Sequence, residues 1–387
     1  MTAAGGPLTI RRIALFPLEL PMTHPIKMAG ETLTHAHTLL VSVTDEAGRT
    51  GWGEASAAPL MTGETLGSLA ASADYLAARL AGRQIADAGA IAALFDAVLY
   101  GNASARCCLE TALMDLFARR AGVPLHALLR PPAAPAAARK LEMLHMLASG
   151  DPEREAEEAA RLAAQGYRHW KIKVGAGDAA GDVRRVQRLC ELLRGHVVSA
   201  DANQMLGAEA AAAIARAGRQ HGLAFLEQPF RAGEVGAMAA LHRDTGMPLC
   251  ADESIHDAAD IEAHHAAGAA QGASLKLIKM GGTQPLAAAG QLCLARGMRI
   301  NLACKVAETT VSAAATAHVG FALGDVAWGF SMSNRYLAED VCAAPLQPEG
   351  GAVLAAQLDR PGLGFAPEPD RLAGFAARGL PSREHLP

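Results

Sequence analysis

No apolar run in these 387 residues approaches the length that crosses a bilayer, and the first residues carry no basic-then-apolar leader pattern. Neither a membrane nor a secretory route is expected. Neither sign of charge is in marked excess: 35 Lys and Arg stand against 39 Asp and Glu, a formal net charge of -4. Nucleic-acid binders usually carry a basic face, so nucleic acid is not an expected partner. Cysteine is sparse, seven in all, odd in number and without zinc-type spacing, and Cys107 and Cys108 sit in an apolar helical stretch as buried thiols. That usage suits a reducing cytoplasm. The dinucleotide signature is incomplete too: Gly175-Ala176-Gly177 follows an apolar run but lacks the third glycine at the required offset.

What is present is apolar residue in quantity and regular alternation. With 51% hydrophobic and 19% charged residues, the chain can bury a barrel-sized core plus something smaller. Residues 11–21, 38–45 and 51–54 alternate as short strands, and 65–80 and 103–121 carry helical periodicity, the pattern of a small α+β unit. An Ala/Pro-rich stretch at 131–138 reads as a linker. From residue 141 strands and amphipathic helices alternate, with strands expected at 142–147, 170–174, 197–200, 224–226, 248–251, 274–278, 299–303 and 325–328. Eight such turns of roughly 25–30 residues are what a (β/α)8 barrel requires. The fold class is therefore α/β: a modified (β/α)8 TIM-like barrel with an N-terminal α+β capping domain. A doubly wound sheet is the alternative. The expected division is 1–130 for the cap, 131–355 for the barrel and 356–387 for a segment, containing Pro361-Gly362-Leu363-Gly364, that returns to the cap.

On that barrel Lys173 ends strand two, Asp201 strand three, Glu227 strand four and Asp252 strand five, while Lys276 lies on strand six. Barrel active sites form at the C-terminal strand ends, so all five face one mouth. Strands two and six are four apart in a ring of eight, which sets the two lysines on opposite walls. Lys171 and Lys173 share a face of their strand, whereas Lys276 and Lys279 do not share one in an unbroken strand. Three carboxylates without accompanying His or Cys suit a hard divalent cation, Mg²⁺ first and Mn²⁺ as a substitute. A lysine near a dication and a second ammonium has a lowered pKa and can act as a base. Singly, an Asp at a strand end is more often a helix cap and a Lys-x-Lys a surface pair. The joint pattern on five consecutive strands is what points to chemistry.

These residues resemble the enolase superfamily, in its muconate lactonizing enzyme branch (the mandelate racemase/muconate lactonizing enzyme family). The likeness rests on Lys171-Ile172-Lys173-Val174-Gly175, Asp201-Ala202-Asn203, Glu227-Gln228-Pro229, Asp252-Glu253-Ser254 and Lys276-Leu277-Ile278-Lys279-Met280-Gly281-Gly282. Gly51-Trp52-Gly53-Glu54 and the run from Leu109-Glu110-Thr111 extend it through the first domain. The resemblance implies Mg²⁺ on Asp201, Glu227 and Asp252, with Lys173 and Lys276 as acid/base lysines. Lys171, Asn203, Glu253 and Lys279 stand beside them in support. It also implies a small-molecule carboxylate as substrate and a homo-oligomer as the assembly.

The reaction expected from the resemblance is removal of the α-proton of a carboxylate through a metal-stabilised enolate, most simply for cycloisomerisation, racemisation or epimerisation. Water elimination from a hydroxy acid shares that step, and a non-catalytic ligand-binding barrel is the alternative from another class. The mandelate racemase branch carries a His on strand seven where this chain has Cys304 and Lys305. Dipeptide epimerases carry an Asp-x-Asp near strand eight, where the matching positions are Phe330, Ser331 and Met332. In the family two mobile cap loops meet the far end of the substrate, here expected at 22–36 and 55–64. His24, Lys27, Met61 and Lys305 are the candidate substrate-binding residues from these loops and the barrel rim, with His35, His37 and Arg335 nearby.

Overall fold

The computed structural model describes residues 7–28, 31–131 and 138–387. The linker expected at 131–138 lies, apart from its two end residues, outside the described residues, as does the side chain of Lys27. The N-terminal strands Leu8–Met28, Glu31–Asp45 and Thr50–Ser56 form an antiparallel sheet, and Arg383–His385 pairs with the first of them on its free side. Helix Ala103–Ala121 lies across this sheet. A Cβ on Gly53 would sit 2.0 Å from Cys108 O and one on Gly51 2.2 Å from Ala112 O, so only glycine lets helix and strand approach this closely.

The expected loop at 22–36 is instead a β-hairpin arm. Pairing lapses between Pro21 and Ile26, then resumes as Ile26 with Leu33, Lys27 with Thr32 and Met28 with Glu31. Pro21 and Pro25 lack the ladder donor and account for the lapse, but the alternating residues beyond them still pair.

Eight parallel strands follow: Leu144–Leu147, His169–Lys173, Val197–Asp201, Phe225–Glu227, Leu249–Ala251, Gly272–Leu275, Arg299–Ala303 and Phe330–Ser331, numbered one to eight below. Each pairs with the next, and a bridge from Met143 to Phe330 brings the last beside the first, giving a near-closed barrel. Helices follow the strands with ordinary start signals. Asp151 caps Pro152–Ala164 by accepting from Glu153 N and Arg154 N, with Pro152 in its first turn.

Three strand expectations are corrected. Strand one is shorter than 142–147, because Lys140–Glu142 pairs antiparallel with Ala352–Leu354. Strand six ends at Leu275, and Leu277–Met280 is one helical turn closed by Gly281 at φ 89°. A short apolar run such as Leu277-Ile278 fits a strand or a buried turn equally, and the following glycines decide it. Strand eight begins after the stretch at 325–328. Trp328 stacks on Phe225 with ring centroids 4.0 Å apart, and Gly329 at φ 89° turns the chain so that Phe330 enters the ladder.

Two buried carboxylates of the N-terminal unit register it on the barrel. Glu54 accepts from Thr309 N (2.9 Å), Thr309 Oγ1 (2.6 Å) and Ser312 N (3.0 Å) at the start of helix Thr310–Leu323. Glu110 accepts from Thr283 N (2.6 Å) and Gln284 N (2.9 Å) at the start of helix Thr283–Ala295. Burial raises both carboxyls, that of Glu110 to about 7, and the hydrogen bonds they accept from the two helix starts work against it. This docking holds the segment around Met61 over the barrel mouth.

Candidate active site

Lys171 and Lys173 rise from strand two on one face, and both enter the mouth. Lys171 Nζ lies 2.9 Å from Glu227 Oε1 and 3.7 Å from Asp201 Oδ2. Its 2.7 Å approach to Glu227 Oε2 is an ion-pair distance outside hydrogen-bond geometry. Lys173 Nζ donates to Asp201 Oδ2 at 2.6 Å and also to Asn203 Oδ1. Across the barrel, Lys276 Nζ donates to both oxygens of Asp252. Lys279 Nζ reaches the same carboxylate at Oδ1, 2.8 Å, and holds Ser274 O at 3.0 Å.

Lys276 and Lys279 therefore both point inward, contrary to the expectation for one continuous strand. The helical turn after Leu275 replaces the two-residue period with a 3.6-residue one, and positions three apart then share a side. They differ in access. Lys276 lines the cavity, whereas Lys279 is fully buried behind it.

Asp201, Glu227 and Asp252 are all buried at the ends of adjacent strands, with Asp201 and Glu227 direct register partners. Burial works to raise each carboxyl. Lys173 and Lys171 outweigh it at Asp201, and Lys276 and Lys279 hold Asp252 well below the carboxylate range. At Glu227 burial prevails, aided by repulsion from Asp201 and Asp252, and the carboxyl is raised. Burial disfavours the Lys276 ammonium, but Asp252, Glu227 and Glu253 together keep its pKa above the ordinary value. At Lys279 burial wins and the pKa is lowered.

Hard oxygen donors, mutual repulsion and burial are the chemistry of a cation site, and on donor chemistry the three carboxylates fit Mg²⁺. Each turns to a lysine ammonium here, and among the described residues no three Asp, Glu, His or Cys side chains frame a common point for an ion.

The cavity over this cluster is lined further by Met61, Leu144, Met146, Lys305, Ser331 and Met332. Met61 and Lys305 also line an adjoining cavity with His35 and His37. His24 is exposed and lines neither. Asn203 donates to Glu253 Oε1 at 3.1 Å, and burial, then Asp252 and Asp201, raise Glu253 to about 7. His145 faces outward from strand one to Glu158, 2.8 Å from Nε2.

Several residues at the site escaped the sequence reading. Leu144 and Met146 follow from strand alternation and were findable. Tyr336 lies on the turn after the misplaced strand eight. Glu308, raised by burial to about 8, is fully buried past strand seven beside Ala307 at φ 67°, and no local pattern announces it.

The Enolase C-terminal domain-like family model matches residues 154–371, and the Mandelate racemase / muconate lactonizing enzyme N-terminal domain model matches residues 12–130. The chain belongs to the enolase superfamily. It falls in that superfamily's muconate lactonizing enzyme branch. The L-Ala-D/L-Glu epimerase of Bacillus subtilis (strain 168) is 29% identical over 315 residues, 80% of this chain and 84% of that protein. The chloromuconate cycloisomerase of Cupriavidus pinatubonensis is 27% identical over 368 residues, 93% and 96% of the two chains. A crystal structure of muconate lactonizing enzyme from Pseudomonas fluorescens complexed with muconolactone superposes with a TM-score of 0.87 at 27% identity, covering 95% of this chain and 99% of that one. This superfamily member is thus an enzyme of the mandelate racemase/muconate lactonizing enzyme kind. Among its described residues no helix is long and apolar enough to cross a membrane.

Proposed function

We propose that the chain is a Mg²⁺-dependent isomerase that moves the α-proton of a small carboxylate, by racemisation, epimerisation or cycloisomerisation. The observation that carries this reading is the pair of cavity-lining lysines, Lys173 and Lys276, on opposite walls above three buried carboxylates. A binding barrel needs no opposed bases, and relatives named as epimerases and cycloisomerases favour isomerisation over water elimination.

An α-proton beside a carboxylate is weakly acidic, because its loss piles charge onto oxygens already negative. Asp201, Glu227 and Asp252 would hold a divalent cation, which would supply neutralisation of that charge. The chain's own lysines handle the proton. Lys173 meets one face of the substrate and Lys276 the other, so one takes the proton and the other returns it or stabilises the product face. Lys276 is kept charged chiefly by Asp252, against burial. Were the Asp252 and Glu227 charges engaged by a cation, burial would meet less opposition and would favour the base form of the lysine. Met61, Leu144 and Met146 keep the reacting carbon in apolar surroundings. Chelation is expected to abolish turnover and Mg²⁺ to restore it. Full activity in metal-stripped protein would sink the mechanism.

The strand-eight wall limits the substrate. Phe330 is buried in the ladder, and Ser331 and Met332 line the cavity, so no carboxylate there meets an ammonium. A buried charge without a partner costs well over the ~1.4 kcal/mol that tenfold in rate represents. Dipeptides with a free amino terminus are therefore expected to turn over at least about tenfold more slowly than their N-acylated counterparts. Initial rates on matched pairs check this, and rapid epimerisation of an Ala- or Glu-containing dipeptide would show that the wall recognises ammonium after all.

A further inference from the structure

Gln228 follows Glu227 at the end of strand four, is fully buried, and sits at φ 34°, a left-handed conformation that a side chain other than glycine adopts at a cost. Such a conformation persists where the surroundings over-determine it, and here they do. Gln228 Oε1 accepts from Asp252 N at 2.8 Å, Ser254 Oγ at 2.9 Å and Ser254 N at 3.3 Å. Its Nε2 donates to Phe230 O at 3.0 Å and lies 3.8 Å from Met238 Sδ. Its backbone N–H donates to Cys250 O at 2.9 Å, and its carbonyl accepts from Gln204 N at 2.8 Å.

One residue thus ties together three loops. Through its carbonyl it holds the loop that follows Asp201 and carries Asn203, which is itself bent through two left-handed residues, Asn203 at φ 39° and Gln204 at φ 67°. Through its peptide bond it is joined to Glu227. Through its side chain it holds the backbone N–H of Asp252. Neighbouring strands fix the carboxylates only as far as the ladder extends, and Asp252 lies one residue beyond the end of strand five. Strand five leaves its distance from Asp201 and Glu227 to the loop, where Gln228 holds the Asp252 N–H and Lys279 the Asp252 carbonyl.

We propose that Gln228 is a positioning residue of the three-carboxylate cluster, holding the backbone of Asp252 beside Asp201 and Glu227 so that the three side chains can turn onto one divalent cation. The inference rests on the reading of that cluster as the cation site. Groups that orient metal ligands typically change metal affinity 10–100-fold when removed. Gln228→Met keeps the length of the side chain and loses every side-chain hydrogen bond while leaving the backbone ones, whereas Gln228→Glu keeps the acceptor for Asp252 N and both Ser254 donors.

The test is Mn²⁺ titration followed by electron paramagnetic resonance, with thermal melting of the metal-free proteins alongside. Gln228→Met is expected to weaken Mn²⁺ binding about 10–100-fold at a temperature where it is fully folded, and Gln228→Glu to stay within a few-fold of the parent. A purely structural role would lower the melting temperature of Gln228→Met and leave the affinity of the folded protein unchanged, and that result overturns the proposal. Should Gln228→Met not fold, Ser254→Ala decides. It removes one donor from Oε1, so a several-fold loss of affinity supports the proposal and an unchanged affinity overturns it. A parent protein that takes up no Mn²⁺ overturns the cation reading, and the proposal with it, and the parent titration tells that failure apart from the variant's.

Discussion

Lys173→Ala and Lys276→Ala are each expected to lose about 10²–10⁴ in turnover, the range that a general acid or base contributes, while the fold persists. The surroundings make this separation possible. With Lys276 gone, Lys279 Nζ still sits 2.8 Å from Asp252 Oδ1, and with Lys173 gone, Lys171 Nζ remains 3.7 Å from Asp201 Oδ2. Each carboxylate keeps one ammonium, so charge balance survives the loss of the base. Lys279 cannot stand in, because it is fully buried and does not line the cavity. If the reaction is a racemisation, each variant retains the lysine for one face, and one of them still exchanges the α-proton of a single enantiomer. Steady-state kinetics and circular dichroism on both variants provide the check. A loss below about tenfold, or near-normal turnover in Lys276→Ala beside a dead Lys279→Ala, would show that the base is not Lys276, the residue just past strand six.

Asp252→Asn is the second large effect, and it falls on stability as well as cation uptake. Asp252 neutralises two buried ammoniums, those of Lys276 and Lys279. Removing one partner of a buried ion pair typically costs about 3–5 kcal/mol, since the other charge stays without compensation. The lysines can reduce that loss only by shedding protons. Their folded-state pKa values then lie below those of the unfolded chain, the unfolded state binds more protons, and stability rises with pH. Urea unfolding in chelator is therefore expected to show Asp252→Asn about 3–5 kcal/mol less stable than the parent near neutrality, with part of the deficit regained toward alkaline pH. The parent lacks this recovery at Lys276, where Asp252 raises the pKa and the associated stability is lost as pH rises through the folded value. A variant as stable as the parent at neutral pH would mean that the buried ammoniums are compensated elsewhere.

How much of this is legible in the sequence depends on which physical signal each residue carries. Strands two to five announce themselves by short apolar runs ending in a charged residue, and the barrel followed from their recurrence. Strand six did not, because Leu277-Ile278 is apolar in a strand and in a buried helical turn alike, and so the joint approach of Lys276 and Lys279 to Asp252 was hidden. Strand eight was displaced because Trp328 looks like strand but serves as a stacking partner for Phe225. The hairpin at 22–36 was obscured by prolines that interrupt its ladder without ending it. The roles of Gln228 and Glu308 depend on contacts between loops far apart in sequence, which no local period encodes. Types of residue at strand ends were thus readable, whereas contacts made after the strands ended were not.

The proposed activity requires α-proton abstraction, and the direct measurement is hydrogen exchange in deuterated water. A library of carboxylic acids, N-acyl amino acids prominent among them, would be incubated with the Mg²⁺-loaded protein and read by mass spectrometry for gain of one deuterium at the α-carbon. Exchange into at least one acid is expected of the parent protein, lost on chelation and absent in the Lys173→Ala/Lys276→Ala double variant. Exchange by the double variant at the parent rate, or a parent protein that exchanges none of a broad library, would contradict the proposed activity.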